Sequence, residues 1–381
     1  MNAIRRSQSA VLHAIRHPLS VLLLLLAALV PATADAGFIV TDLITNDQSI
    51  HPAQFTDPLL QNAWGVTYSP TSPFWVANNG SGTSTVYRVD PTTDAVSVAR
   101  PAVTIPPAGS GTPTGAAFNP GAAGGAFNGD VFLFVSEDGT IAGWRNALGN
   151  LAETLESPSS DVYKGATTAV VGGHTYLYTT NFAGGDIDVV KGDPGAPDLT
   201  GDFSDPNLPA GYSPFGIANL GGAIYVTYAF REAGEDEESH APGLGIVDVF
   251  DTQGNLIMRV TTGGTLNAPW GLAIAPTSFG PFAGDLLVGN FGDGLISAFD
   301  PVTHAFEGLL RDTAGNPISI DGLWAIIPGN GGSAGSPSRL YFSSGPDGEV
   351  NGLFGVIAVP EPATAWLMLF GVFALARTRR R

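Results

Sequence analysis

An all-β protein built as a ring of repeated four-stranded sheets is what the sequence predicts, and three observations predict it. About one residue in five is Gly or Pro, 50 and 29 of 381, which breaks long helices and favours short strands joined by turns. A Gly set in a short apolar run returns about every fifty residues. Each such run is followed by a second apolar run, a Gly-rich turn and further strand-like segments, the sequence signature of propeller blades.

Residues 1–36 stand apart from the repeats. Arg5, Arg6 and Arg16 precede the apolar run from Leu19 to Val30, and Ala34-Asp35-Ala36 follows. A basic region, a short apolar core and an A-x-A site predict a signal peptide, cleaved after Ala34 and Ala36 have been read by signal peptidase. The run is shorter than the roughly 20 apolar residues a spanning helix requires.

The repeated Gly residues are Gly65, Gly115, Gly165, Gly216, Gly271 and Gly322, at intervals of 50, 50, 51, 55 and 51. Second runs follow at Phe74–Asn78, Val131–Val135, Tyr176–Thr180, Ile224–Tyr228, Leu286–Asn290 and Leu340–Ser344. Third strands such as Thr85–Val89 and Ile246–Phe250 come after Gly-rich turns, and a more polar fourth strand such as 255–261 closes most units. The sixth unit lacks its fourth strand, because Phe354–Ala358 runs into the C-terminal segment. The segment Phe38–Leu43 is spare, and pairing it with the sixth unit closes the ring and removes an exposed edge. The expected fold is a six-bladed β-propeller over 37–358, its last blade completed by the N-terminal strand.

Residues 359–381 form a second signal. Val359-Pro360-Glu361-Pro362 precedes the apolar stretch 363–376, and Arg377, Arg379, Arg380 and Arg381 end the chain. Positive charge beside an apolar segment is retained on the cytoplasmic side, so a short C-terminal transmembrane helix is expected, with the body outside. This three-part end resembles the PEP-CTERM sorting signal of Gram-negative bacteria, whose motif is read by an exosortase. The resemblance implies cleavage near Pro360 and Pro362 and delivery to the cell surface or extracellular matrix. The body is also similar to exported bacterial propellers of unassigned function, through Asp57-Pro58, Asn62-Ala63-Trp64-Gly65, 72–80, 205–212, 247–251, 267–271 and 284–294.

Composition narrows the function. The formal charge is −18 over the whole chain, and residues 37–358 hold nine Lys and Arg against 32 Asp and Glu. Phosphate backbones are repelled by such a body, so nucleic acid is not an expected partner. With no Cys there is no disulfide, thiol nucleophile or Cys-ligated metal.

Ligands of propellers enter near the starts of the inner strands. The residues before the repeated Gly are Trp64, Thr114, Lys164, Phe215, Trp270 and Asp321. An aromatic set with one carboxylate suits stacking on a sugar or peptide better than caging a metal, which needs several converging oxygens. Trp64, Phe215, Trp270, Asp321 and Trp324 are therefore the expected ligand contacts, core packing being the competing role of each aromatic ring. The expected function is a non-catalytic module that binds a ligand or extracellular polysaccharide, without a cofactor. The alternative is a hydrolase or lactonase with a divalent cation such as calcium on Asp321 and nearby Asn residues. Asn78, Asn79, Glu137, Asp138, Asn181 and Asn290, at the ends of second strands, read first as turn formers and second as a ring around the channel mouth. The acidic run 231–240 and the loop carrying Asp193, Asp198, Asp202 and Asp205 read as solvated loops. The G-x-S-x-G match at 331–335 lies in a low-complexity loop and is discounted.

Overall fold

The computed structural model describes residues 37–360, and these form six sheets arranged as the blades of a closed propeller. Strands β1 (Ile39–Thr45) and β2 (Phe55–Thr56) come first and join the last blade. Blade one is β3 (Ala63–Thr67), β4 (Phe74–Asn78), β5 (Thr83–Val89) and β6 (Val96–Thr104). Blade two is β7 (Pro113–Phe118), β8 (Phe132–Ser136), β9 (Ile141–Trp144) and β10 (Glu153–Glu156). Blade three has three strands, β11 (Tyr163–Val171), β12 (His174–Asn181) and β13 (Asp186–Lys191). Blade four is β14 (Tyr212–Leu220), β15 (Ala223–Phe230), β16 (Ile246–Asp251) and β17 (Leu256–Thr262). Blade five is β18 (Pro269–Ile274), β19 (Leu286–Asn290), β20 (Ile296–Phe299) and β21 (Phe306–Leu309). Blade six is β22 (Leu323–Pro328), β23 (Leu340–Ser344) and β24 (Leu353–Ala358), with β1 as its fourth strand.

The closure expected from the spare N-terminal segment is present. Strand β1 pairs antiparallel with β24, from Ile39 opposite Ala358 to Thr45 opposite Leu353. The inner strands β3, β7, β11, β14, β18 and β22 touch in succession, and β22 returns to β3. In blade three the fourth strand is missing. The chain between β13 and β14 instead runs irregularly and packs Ala196 and Phe203 against Tyr176, Tyr178 and Phe250.

Every inner strand carries a register shift against its second strand at the same level: 63/66, 113/116, 163/166, 214/217, 269/271 and 323/326. The bulge brings two inner-strand residues against the neighbouring blade. In blades one to four the second of these is the repeated Gly, in blade five Gly271 directly follows the bulged Trp270, and the reason is space. A Cβ on Gly65 would stand 2.5 Å from the Thr114 carbonyl oxygen, and one on Gly271 2.7 Å from that of Trp324.

Blade six corrects the repeat read from sequence. Its bulge residues are Trp324 and Ala325, so Ala325, and not Gly322, is the counterpart of the other five glycines. Hydrogen bonds decide this. The Gly165 N–H donates to Thr180 Oγ1 (2.7 Å), that of Gly216 to Thr227 Oγ1 (2.8 Å), and that of Ala325 to Ser343 Oγ (3.1 Å). Gly322 is a turn residue at φ +60°, where a side chain would overlap the Gly345 carbonyl. The ring position assigned to Asp321 therefore belongs to Trp324.

Residues 1–36 and 361–381 lie outside the described residues. The expected signal peptide with Ala34 and Ala36, the sorting residues Glu361 and Pro362, and the apolar tail fall there. Val359 and Pro360 are described and half-buried, and Val359 packs against the blade five and six core. Among the described residues no helix is long and apolar enough to cross a membrane.

Candidate functional site

The first bulge residues of the six blades, Trp64, Thr114, Lys164, Phe215, Trp270 and Trp324, form one level around the axis. Trp64 and Trp324 stack at 3.6 Å, and Phe215 and Trp270 meet Trp324 edge-on at 5.8 and 5.9 Å. Phe291, from the loop after β19, stacks on the other side of Trp324 at 4.0 Å. Trp64, Phe215 and Trp324 are buried at 1%, 0% and 0% exposure. The aromatic set expected to face a ligand is instead a plug across the channel. Its rings bury their faces on one another, so only Trp270, half-buried, has surface to offer.

Above the plug, on the side where inner strands begin, a polar layer gathers around one ammonium. Lys164 is fully buried, and its Nζ donates to Glu137 Oε1 (2.6 Å) and Glu237 Oε2 (2.9 Å) while lying over the Trp64 ring at 5.1 Å. Glu137 Oε2 accepts from Asn79 Nδ2 (2.8 Å). Asn62 donates through Nδ2 to Glu349 Oε2 (2.5 Å), and its Oδ1 accepts from Trp324 Nε1 (3.2 Å). Glu238 is turned in beside this group, and its Oε2 is buried without a hydrogen-bond partner. Burial works against the Lys164 charge, but Glu137, Glu237 and Glu238 more than offset it and hold the ammonium above the ordinary lysine pKa. Burial pushes the Glu238 carboxyl up to about 8, with Lys164 opposing and Glu237 and Glu349 reinforcing. Burial also raises Glu349.

Of the second-strand residues, Asn79 and Glu137 thus join the mouth. The others are structural. Asn78 donates to Thr83 and Thr85, Asp138 accepts the Thr140 N–H, Asn181 donates to Asp161 and Asp188, and Asn290 donates to the Thr265 carbonyl and Asp293. Asp321 is exposed and caps the Asp347 N–H at 2.9 Å. The acidic run 231–240 is divided: Glu232, Glu235 and Asp236 are exposed, while Glu237 and Glu238 reach the axial lysine. The other acidic loop is tied down by His174 on Asp193, Lys191 on Asp198, Ser204 on Asp202 and Arg259 on Asp205. Residues 331–335 close a turn, with the Gly331 N–H on the Gly335 carbonyl.

Calcium does not fit this mouth. Four glutamates converge on it, but the ammonium of Lys164 occupies the centre. Among the described residues no three His, Asp or Glu side chains are placed to hold a metal ion.

Below the plug the channel widens into a cavity of about 530 Å³ lined by all six inner strands. Val66, Ala116, Ala166, Ile217, Leu272 and Ile326, each following a bulge, form its wall with Trp270. Among the described residues lining it there is no Asp, Glu, Lys, Arg or His. Its Asn and Thr side chains are held by one another and by backbone groups, whereas Trp270 Nε1 is buried without a partner. Asn219 donates to the Thr168 carbonyl (2.9 Å) and accepts from Gly222, Thr167 Oγ1 accepts the Asn219 N–H, and Thr168 Oγ1 donates to the Phe118 carbonyl. Sequence reasoning found five of the six ring positions but not this cavity, nor the part played by Lys164, Glu237, Glu238, Glu349 and Asn62.

The chain is 30% identical over 342 residues to uncharacterized protein R648 of Acanthamoeba polyphaga mimivirus, spanning 86% of this chain and 82% of that protein. A second mimivirus protein, L690, is 31% identical over 346 residues, spanning 85% and 87%. The chain belongs to this family. Its mimivirus members are described only as uncharacterized, so the kinship leaves the chemistry to the geometry, and the expected sorting family is not what it shows. No family model matches the chain. Among solved structures, the PQQ-bound aldose sugar dehydrogenase of Streptomyces coelicolor is similar at a TM-score of 0.47 and 16% identity, over 84% of this chain and 99% of that one. A putative 6-phosphogluconolactonase from Bacteroides uniformis gives 0.41 and 16%, over 67% and 70%. Likenesses at this level bear on neither the site nor its chemistry.

Proposed function

We propose that this propeller is a non-catalytic binding module that takes an uncharged, largely apolar ligand into the channel cavity from the face opposite the acidic mouth. One observation carries the reading: a cavity of about 530 Å³ without an ionisable side chain among its described lining residues. Hydrolysis requires a positioned acid, base, nucleophile or metal, and such a wall supplies none of them. An apolar lining with a few polar groups, among them the unpaired Nε1 of Trp270, matches the usual character of small-molecule pockets. An extended polysaccharide finds a single half-buried indole here, so the polysaccharide expected from the ring aromatics fits less well. In the same reading the body is exported, and the Val359-Pro360-Glu361-Pro362 end directs it to the cell surface or matrix through exosortase. What supports this part is the order of motif, apolar stretch and Arg cluster in the sequence.

The cavity is tested by titrating the protein with N-phenyl-1-naphthylamine, a neutral apolar fluorophore, beside a Thr168→Trp variant that fills the wall. We expect saturable binding of one equivalent to the natural protein and at least tenfold weaker binding to the variant. No saturable binding, or equal binding by a folded Thr168→Trp protein, overturns the reading. Mass measurement of surface material tests the sorting: an intact Arg381 refutes processing at the Pro-Glu-Pro motif.

A further inference from the structure

The segment between β15 and β16, residues 231–245, is the longest of the six links from second to third strand. Its base is fixed. The Arg231 N–H donates to the Gly211 carbonyl (2.7 Å), its side chain to Ser213 and the Ala183 carbonyl, and the Ser239 N–H to the Phe230 carbonyl (2.8 Å). Its middle carries Gly234 at φ +90°, whereas past the base the Gly243 N–H donates to the Leu266 carbonyl (2.8 Å) and the Leu244 carbonyl accepts from the Ala268 N–H (2.9 Å). Between base and tip the loop leaves blade four and ends on Lys164 of blade three and, through that ammonium, on Glu137 of blade two.

We infer that residues 232–238, between the Arg231 and Ser239 anchors, form a pH-sensitive lid over the acidic mouth, latched by Glu237 on Lys164 with Glu238 turned in beside it, and that ionisation of Glu238 releases it. The geometry places one cation among too many acids. Facing Glu238 are Lys164 from β11, Glu349 from the turn before β24, and Glu237 from its own loop, with Glu137 on the far side of the ammonium. With Glu238 ionised, four carboxylates share one ammonium, and Glu238 Oε2 has no donor to receive it. A buried charge without a partner is expensive. The loop is the element that can relieve it, because Glu237 is 70% exposed and Glu238 moves with it into water.

The direction of the pH effect follows from linkage. The closed lid raises the Glu238 carboxyl from 4.5 to about 8, so the closed form binds the extra proton. Closure is therefore fully favoured below the ordinary carboxylate pKa, is lost by up to about tenfold per pH unit as pH rises from there to about 8, and changes no further above it.

The chain has no Cys, so Asp236→Cys places a single spin label at the lid tip of the full chain. Label mobility followed from pH 5 to pH 9 should rise along this window. Adding Glu238→Gln should abolish the pH dependence and keep the label immobile throughout, while Glu235→Gln should leave the transition unchanged. Amide hydrogen exchange of residues 232–238, corrected for intrinsic pH effects, reads the same opening without a label. A mobility and exchange rate flat between pH 5 and pH 9, or a transition that survives Glu238→Gln, overturns the inference.

Discussion

A single methyl group separates five blades from the sixth at the bulge. A Cβ on Gly216 would overlap the Trp270 carbonyl oxygen of blade five, whereas blade six accommodates Ala325 at the same level. Gly216→Ala is therefore expected to cost about 1–3 kcal/mol, because backbone and not a flexible side chain would have to move. Urea unfolding measures it, and Ala325→Gly, which creates no overlap, should cost less than about 1 kcal/mol. Lys164 is the other position where one residue decides a layer. Lys164→Met removes the cation and leaves Glu137 facing buried surroundings, for an expected loss of about 3 kcal/mol or more near pH 7. Much of that loss is the stranded carboxylate, so Lys164→Met combined with Glu137→Gln should be more stable than Lys164→Met alone. Equal stability of the two variants would show that the pair is not coupled. The ring of first bulge residues was legible in sequence at five positions of six. The sixth was misread because Gly322 sits at a spacing of 51 that fits the repeat, and the register shift at 323/326 together with the hydrogen bond from Ala325 to Ser343 places the bulge three residues later.

Strands and their closure were legible because a propeller repeats one element and leaves a remainder at its ends. In the sequence the unpaired β24 and the spare β1 point to each other. Leu43 and Ile44 of β1 are fully buried in the core shared with blades one and six, while Val40 on the same strand is exposed. Leu43→Ala should therefore cost about 2–5 kcal/mol through the cavity it leaves, and Val40→Ala should stay within about 0.5 kcal/mol. Thermal or urea unfolding of the two variants tests whether β1 closes the ring by core packing or merely by its ladder. Loops were far less legible than strands. Asn62, Glu137, Glu237, Glu238 and Glu349 meet only because ring closure brings four blade mouths to one axis, and nothing local in 231–240 distinguishes the two glutamates that reach Lys164 from their neighbours.

At the scale of the whole molecule, charge is the quantity that packing leaves unbalanced. The body carries nine Lys and Arg against 32 Asp and Glu, and several of those cations are already committed. Arg145 binds Asp130 and Glu153, Arg259 binds Asp205 and Asp248, Lys191 binds Asp198, Arg339 binds Asp94, and Arg100 lies over Trp144. The remaining acids repel one another across a surface that unfolding would spread out, so self-repulsion acts against the compact state. Without Cys there is no covalent tie to resist it. Salt shortens the range of that repulsion from about 30 Å at 0.01 M to about 8 Å at 0.15 M ionic strength. The thermal midpoint should accordingly rise by about 2–4 °C over that interval at constant pH, the response to roughly 1 kcal/mol in a domain of this size or somewhat smaller. Sodium and calcium chloride at matched ionic strength separate screening from binding. Equal midpoints fit a mouth already filled by Lys164, whereas a saturable extra rise with calcium, abolished by chelator, would show a metal site and reopen hydrolytic chemistry in this channel.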